Sequence, residues 1–296
     1  MAVPLLAGCG GAGDGGGPSS AGVPPEPGGT LRLAIPGTVR TIDPLLASSP
    51  AERLASRQVH EPLVSRQAGP FGLTRQRPGL VSSLRSSAGG ALWTATLRRG
   101  VRFADGESFD ADAVVANAER WLAVAPELVP ELVVAFSPKP GVVSFQLDRP
   151  SPRFARRLAS ARLGIVAPDA ISGLGAAPLP LAAIRTGTGP FELREREVGR
   201  TLMARNPAWW GVPLGLGPGL DQIELIDDDD GVEQLLAGTI EVAADLDPAE
   251  ARRVAADPLL TLVRSGGALG MERSVRGIES AEVDQPLADA WLTDLR

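Results

Sequence analysis

The sequence predicts a mixed α/β fold in which strands and helices do not alternate regularly. Two kinds of observation predict it. Short runs with period-two alternation of apolar side chains mark strands, and other segments carry an N-cap residue followed by an apolar stripe at helical spacing. A chain of 296 residues can bury one large core or two modest ones.

Taken in order, residues 31–35 read as the opening strand. Ser49-Pro50-Ala51-Glu52 is a capping box with Pro at the first helical position, and it opens a helix that Pro62 closes. Residues 66–90 read as loop-rich. The tract 93–121 then reads as strand, turn, strand and helix in one run. Trp93, Ala95 and Leu97 alternate with Thr94, Thr96 and Arg98, Gly100 breaks the pattern, and Val101 and Phe103 share a face. Asp105-Gly106 is a turn dipeptide. Asp110 can cap a helix whose first turn carries Asp112 near the positive end of the dipole. Val114, Val115, Ala118, Trp121 and Leu122 form its apolar stripe.

Residues 125–141 suggest a short helix and a strand entry, and 142–160 a strand and a helix. The Gly, Ala and Pro content of 168–180 marks a linker. A hairpin is expected from 191–197 and 201–205, turned at Gly199-Arg200. A strand follows at 223–226, then helices at 231–237 and 248–256, the latter capped by Asp247, and a last strand at 259–264.

Composition narrows the function. The net charge is −6, and of 29 basic residues only Lys139 is lysine, so there is no basic patch suited to nucleic acid. Tyrosine is absent, which leaves little for stacking bases. A single cysteine rules out an internal disulfide. No constellation for catalysis appears: there is no G-x-S-x-G, no H-E-x-x-H and no phosphate loop. A lone histidine such as His60, at a helix end, reads as packing or surface. The acidic run 227–230 could hold a hard cation, but consecutive Asp side chains point apart and precede a helix, so capping and dipole complementarity account for them. No metal and no cofactor is expected.

The order W-x-x-x-L-R-x-G-V-x-F-x-D-G-x-x-F in residues 93–109, followed by a helix, resembles the extracellular solute-binding proteins of family 5, the receptors of peptide and nickel ABC importers. Further segments agree in the right order: 28–64 with I-D-P and Q-V-H-E-P-L-V, 142–160, 187–211 with G-T-G-P-F and R-N-P-A-W-W-G, and 220–245. Ala113, His60 and Glu241 depart from the family pattern, which has Asp, Tyr and Asp there.

The resemblance implies a periplasmic-binding-protein-like lobe of class II, cluster C type, with mixed sheets flanked by helices. It covers most of residues 28–290 and implies that the second lobe is largely missing: 283–290 looks like the helix that enters that lobe, and the chain stops at Arg296. The implied organisation is a signal remnant and Gly-rich tether (1–27), the first part of the first lobe (28–60), an inserted subdomain (61–180), the continuation of that lobe (181–270) and a remnant of the second-lobe entry (271–296).

The implied function is solute binding for an ABC-type importer outside the cytoplasmic membrane, with peptides or similar small solutes as ligands and ABC permease subunits as partners. A non-transporting relative, acting as an interaction module or representing a decaying gene product, is the alternative. Asp43 and the loop carrying Ser48 and Ser49 leave the first strand toward the interlobe cleft in the resembled proteins and are the first candidates for touching solute. Thr188 and Trp209 are further candidates, although their motifs also serve as scaffold. Leu6-Ala7-Gly8-Cys9 resembles a bacterial lipobox, which implies lipidation of Cys9 and a membrane anchor. Only Met1 to Gly8 precede Cys9 and none is basic, so either the start lies upstream or the product is not exported.

Overall fold

A computed structural model describes residues 28–68, 74–180, 184–215, 218–227, 230–264 and 272–276. Cys9, the Gly-rich tether and 283–290 lie outside the described residues.

Strand β1 (Thr30–Ala34) buries Leu31 and Leu33 on either side of exposed Arg32. Helix α1 (Pro50–Val59) starts at the expected box: the Ser49 hydroxyl accepts from the Glu52 N–H at 3.1 Å, and the Glu52 carboxylate accepts from the Ser49 N–H at 3.1 Å. Next come β2 (Val64–Ala68), β3 (Thr74–Pro78), β4 (Val81–Ser87) and β5 (Leu92–Leu97). Helix α2 (Ala111–Val124) is capped by Asp110, whose carboxylate accepts from the Ala113 N–H at 3.0 Å. Strands β6 (Leu132–Lys139) and β7 (Val142–Leu147) and the short helices α3 (Phe154–Arg157) and α4 (Pro168–Ile171) follow. The chain continues through β8 (Phe191–Glu197), β9 (Arg200–Arg205), β10 (Gln222–Ile226), α5 (Gly231–Ala237), β11 (Val242–Ala244), α6 (Pro248–Ala255), β12 (Leu260–Arg264) and β13 (Glu272–Arg276).

The larger sheet has the order β12-β13-β11-β1-β10-β9-β8. β1 lies at its centre, parallel to β10 and β11, and antiparallel hairpins flank this parallel trio. A separate antiparallel sheet has the order β4-β5-β7-β6, and β2 pairs with β3 alone. Each larger sheet has its own core. One core gathers Leu63, Trp93, Phe145, Phe154 and Trp121 around the four-stranded sheet and α2; another gathers Leu33, Val59, Phe191, Met203 and Ile223 between the seven-stranded sheet and α1.

The structure corrects the sequence reading in three places. Residues 66–90 hold most of β2 and all of β3 and β4 rather than loop, because β2 and β3 pair with each other and β4 pairs with β5, ordering residues whose Ser, Arg and Gln content hides any alternation; a register shift between Val81 and Ser83 breaks the period further. The second strand of the 93–121 tract is a single bridge, Arg102 to Ser108, although Val101 and Phe103 are buried as a pair should be. The 168–180 linker is partly packed: it contains α4, and Ile171 and Leu179 form a small core with Val166.

Glycines fix how the chain returns to the first core. The Gly189 N–H donates at 2.9 Å to the Val59 carbonyl, one of the acceptors that the end of α1 leaves open. A Cβ on Gly187 would lie 1.8 Å from that same oxygen. Gly187→Ala should therefore force backbone apart and destabilise the protein at or above the ~1–3 kcal/mol typical of overpacking, measured by urea unfolding. Wild-type stability in that variant would refute this contact.

Candidate functional site

In open sheets with parallel strands, ligands bind outside the carboxyl ends of those strands. Here that edge is where β1, β10 and β11 stop, at Ala34, Ile226 and Ala244. The β8–β9 hairpin turns at the same edge, since Arg200 pairs with Ile226. Its tip, Val198, is 96% exposed.

The loop after β1 is pinned to the loop after β10. The Gly37 N–H donates to Asp227 Oδ1 at 2.8 Å, and the Thr38 hydroxyl donates to Asp227 Oδ2. Asp227 thus has a tethering role that capping alone does not describe. The small depression between Gly37, Val39, Gly199 and Asp227 has room for about one water. Asp245, just past β11, has a φ of 63°, a left-handed conformation uncommon outside glycine and often found at functional positions.

Glu52 organises the rim above α1. Its carboxylate accepts from the Ser48 N–H (2.9 Å), the Ser48 hydroxyl (3.1 Å), the Ser49 N–H (3.1 Å) and the Arg40 N–H (3.3 Å). Burial pushes its pKa up, but these hydrogen bonds outweigh burial and hold the carboxyl below its ordinary value. Ser48 is exposed on this rim, with its hydroxyl donated to Glu52 and its oxygen still able to accept. Ser49 sits beside it, its hydroxyl occupied as the cap of α1.

Asp43, the first of the candidates, is placed elsewhere, in the interior. It is fully buried, and its carboxylate is paired with the Arg120 guanidinium at 2.6 and 3.1 Å. It also accepts from the Leu45 N–H and the Leu179 N–H, both at 3.1 Å, while Arg120 reaches on to the Ala177 carbonyl at 3.1 Å. With its oxygens so engaged and no exposure, Asp43 anchors the loop from beneath. Nothing in the spacing of Asp43 and Arg120 along the chain announces the pair.

Thr188 and Trp209 form a second cluster, in the interior and apart from Ser48 and Ser49. The indole N–H groups of Trp209 and Trp210 converge on Glu61 Oε2 at 3.3 and 2.8 Å. The Arg98 guanidinium stacks 4.1 Å from the Trp210 ring centroid, a cation–π contact. Trp209 is only 9% exposed and its ring fills the space that a Cβ on Gly211 would need, so it offers no open aromatic face. The buried Thr188 hydroxyl lies near enough to Glu61 to favour its charged form, although it makes no hydrogen bond of normal geometry. Glu61 keeps some contact with solvent, yet its carboxyl lies deep among protein atoms, and burial pushes its pKa up to about 7 against the pull of both indoles. The neighbouring His60 is buried with Nε2 at 3.0 Å from the Thr186 hydroxyl, and burial lowers its pKa to about 4. At neutral pH it is an uncharged packing residue.

The family described as bacterial extracellular solute-binding proteins, family 5 Middle, matches residues 75–278. The nickel-binding periplasmic protein of Escherichia coli (strain K12) is 30% identical over 198 residues, covering 61% of this chain and 34% of the relative. The glutathione-binding protein GsiB of Salmonella choleraesuis (strain SC-B67) is 28% identical over 171 residues, covering 54% of this chain and 31% of the relative. Among solved structures, NikA from Brucella suis in complex with Fe(III)-EDTA matches with a TM-score of 0.68 and 28% identity, over 81% of this chain and 49% of that one. The chain therefore spans about a third of the length of these curated relatives and about half of that structure.

Two outcomes follow from the buried charges. Arg120→Met leaves the Asp43 carboxylate interred without its counter-charge and should cost ~3–5 kcal/mol in urea unfolding; a cost under about 1 kcal/mol would show that the pair does not hold the loop. The second concerns pH. Glu61 is raised from 4.5, so its contribution is full below that value and lost as pH rises through about 7. His60 is lowered from 6.5, so its contribution is full above that value and lost as pH falls through about 4. The melting temperature of Glu61→Gln relative to wild type should climb steadily between pH 4.5 and 7, leaving only the acid-side loss from His60. A difference that is flat across this range would contradict the assignment.

Proposed function

Because the chain belongs to the bacterial extracellular solute-binding proteins of family 5, we propose that it acts as a substrate-binding component of an ABC-type importer. It binds peptides or similar small solutes outside the cytoplasmic membrane and delivers them to permease subunits. The observation that carries this reading is the edge of the seven-stranded sheet, where the loop after β1 is held from beneath by Asp43 and Arg120 and from the side by Glu52 and Asp227. A rim fixed at this many points presents Ser48 and Ser49 at little entropic cost on binding, as a receptor wall requires. In this reading Ser48 and Ser49 touch solute, while Asp43, Thr188 and Trp209 support the wall. The segments 28–60 and 181–270 build one lobe, and 61–180 is a subdomain inserted between them. Cys9 carries the lipid that holds the receptor at the outer face of the membrane.

One observation favours a second reading, that of an interaction module. Val133, Val134 and Phe136, on the edge strand of the four-stranded sheet, are 53%, 41% and 40% exposed, an apolar strip of the kind that partner chains cover.

Calorimetry and thermal melts of the full chain, with a panel of neutral, acidic and basic di- to pentapeptides, test the receptor reading. Saturable heat and a melting temperature that rises with ligand are expected, since a ligand bound only by the folded state stabilises it by RT ln(1 + [L]/Kd). Absence of both up to millimolar ligand would eliminate autonomous solute binding and leave the interaction module. Cys9→Ser should move the protein from the membrane fraction to the soluble one; an unchanged distribution argues against the anchor.

A further inference from the structure

Three arginines lie at the rim near Ser48 and Ser49, and among the described residues none of them has a carboxylate within hydrogen-bonding distance of its side chain. The Arg196 guanidinium donates to the Arg40 carbonyl, and the Arg53 guanidinium donates to the Ser48 carbonyl. The Arg40 side chain is exposed and, among the described residues, makes no hydrogen bond or ion pair. Glu52 is the acidic group that joins them, since it accepts from the Arg40 backbone N–H and its charge acts on Arg196. Its oxygens already hold four donors from the backbone and a serine hydroxyl, and none of these comes from a guanidinium.

Other arginines of the seven-stranded sheet differ. Arg200 is paired with Glu224 and Glu195, and Arg32 with Glu224 and Glu241. The acidic groups Asp227 and Asp245 belong to the loops after β10 and β11, and Asp227 is occupied by Gly37 and Thr38. The rim above α1 therefore carries three guanidinium groups against one saturated carboxylate. A guanidinium offers five N–H donors in a planar fork matched to a carboxylate, and it stays charged throughout the physiological range. Arg53 and Arg196 each commit a donor to a backbone carbonyl, which orients the group and leaves the remaining N–H donors available.

We propose that the rim formed by Arg40, Arg53 and Arg196 beside Ser48 is the subsite for a carboxylate of the solute, so that the ligands bound here are anionic at that end. The proposal rests on the receptor reading above and adds the chemical class of its ligand.

The test is calorimetry of the full chain at fixed pH with trialanine bearing a free C-terminal carboxylate, and with the same peptide amidated. The free carboxylate form should bind about tenfold or more tightly, with a preference that shrinks on raising NaCl from 50 to 200 mM. Arg40→Gln decides the matter, because its side chain has no contact within the protein to lose and its melting temperature should stay at the wild-type value. It should weaken the carboxylate form at least about fivefold and leave the amide unchanged. Arg53→Gln should act in the same direction. Equal affinity for both peptides, or a preference that survives in both variants, overturns the subsite while leaving the receptor reading intact. No binding of either peptide, or of any member of the wider panel, overturns the receptor reading and the subsite together.

Discussion

The contact between Asp43 and Arg120 joins the two halves of this molecule. Asp43 follows β1, the central strand of the seven-stranded sheet, and Arg120 projects from α2, the helix that packs against the four-stranded sheet. An ion pair with side-chain exposures of 0% and 7% does not arise because it is strongly stabilising; removing two charges from water costs nearly as much as their attraction returns. Its effect is to specify position. With Asp43 also receiving the Leu45 and Leu179 N–H groups, the start of the rim loop and the return segment before β8 are fixed to a single carboxylate.

Other polar contacts repeat that logic along the same seam. Glu61 gathers both indoles of the tryptophan turn, His60 meets Thr186, and the glycines of G-T-G-P let the returning backbone lie against the last turn of α1. Apolar packing holds each core together but is indifferent to small rotations of one core against the other. Directional hydrogen bonds are not, and the rim inherits its geometry from them.

Local chemistry made much of this legible from sequence. The capping box at Ser49, the Asp110 and Asp247 caps and the extent of α5 need only nearby residues, and the structure has them where the spacing puts them; the β8–β9 hairpin is there too, with its turn one residue earlier, at Val198-Gly199, because Arg200 already pairs with Glu197. The resemblance in residues 93–109 led to the family for the same reason, because a continuous motif is written in order. The polar strands of 66–90 were not legible, since their order comes from partners and not from their own pattern. Along the rim and the seam, the sequence named Ser48 and Ser49 as candidates but passed over Arg40, Arg53, Arg196, Glu61 and Arg120. Each looks like an ordinary surface charge until the fold brings its partner close, as Arg120 does across 77 positions of chain to Asp43.

The sequence by itself determined the kind of protein: a mixed α/β chain of the family 5 type, acidic, with its helices capped and its hairpin placed. Those features depend on neighbours within a few residues or on ordered motifs, and the chain carries both directly. Only the tertiary structure decided where the candidate residues lie. It placed Asp43, Thr188 and Trp209 in the interior and left Ser48 exposed beside Arg53, whose guanidinium donates to the Ser48 carbonyl. Burial and charge pairing are properties of distance in space, and a one-dimensional string does not contain that distance.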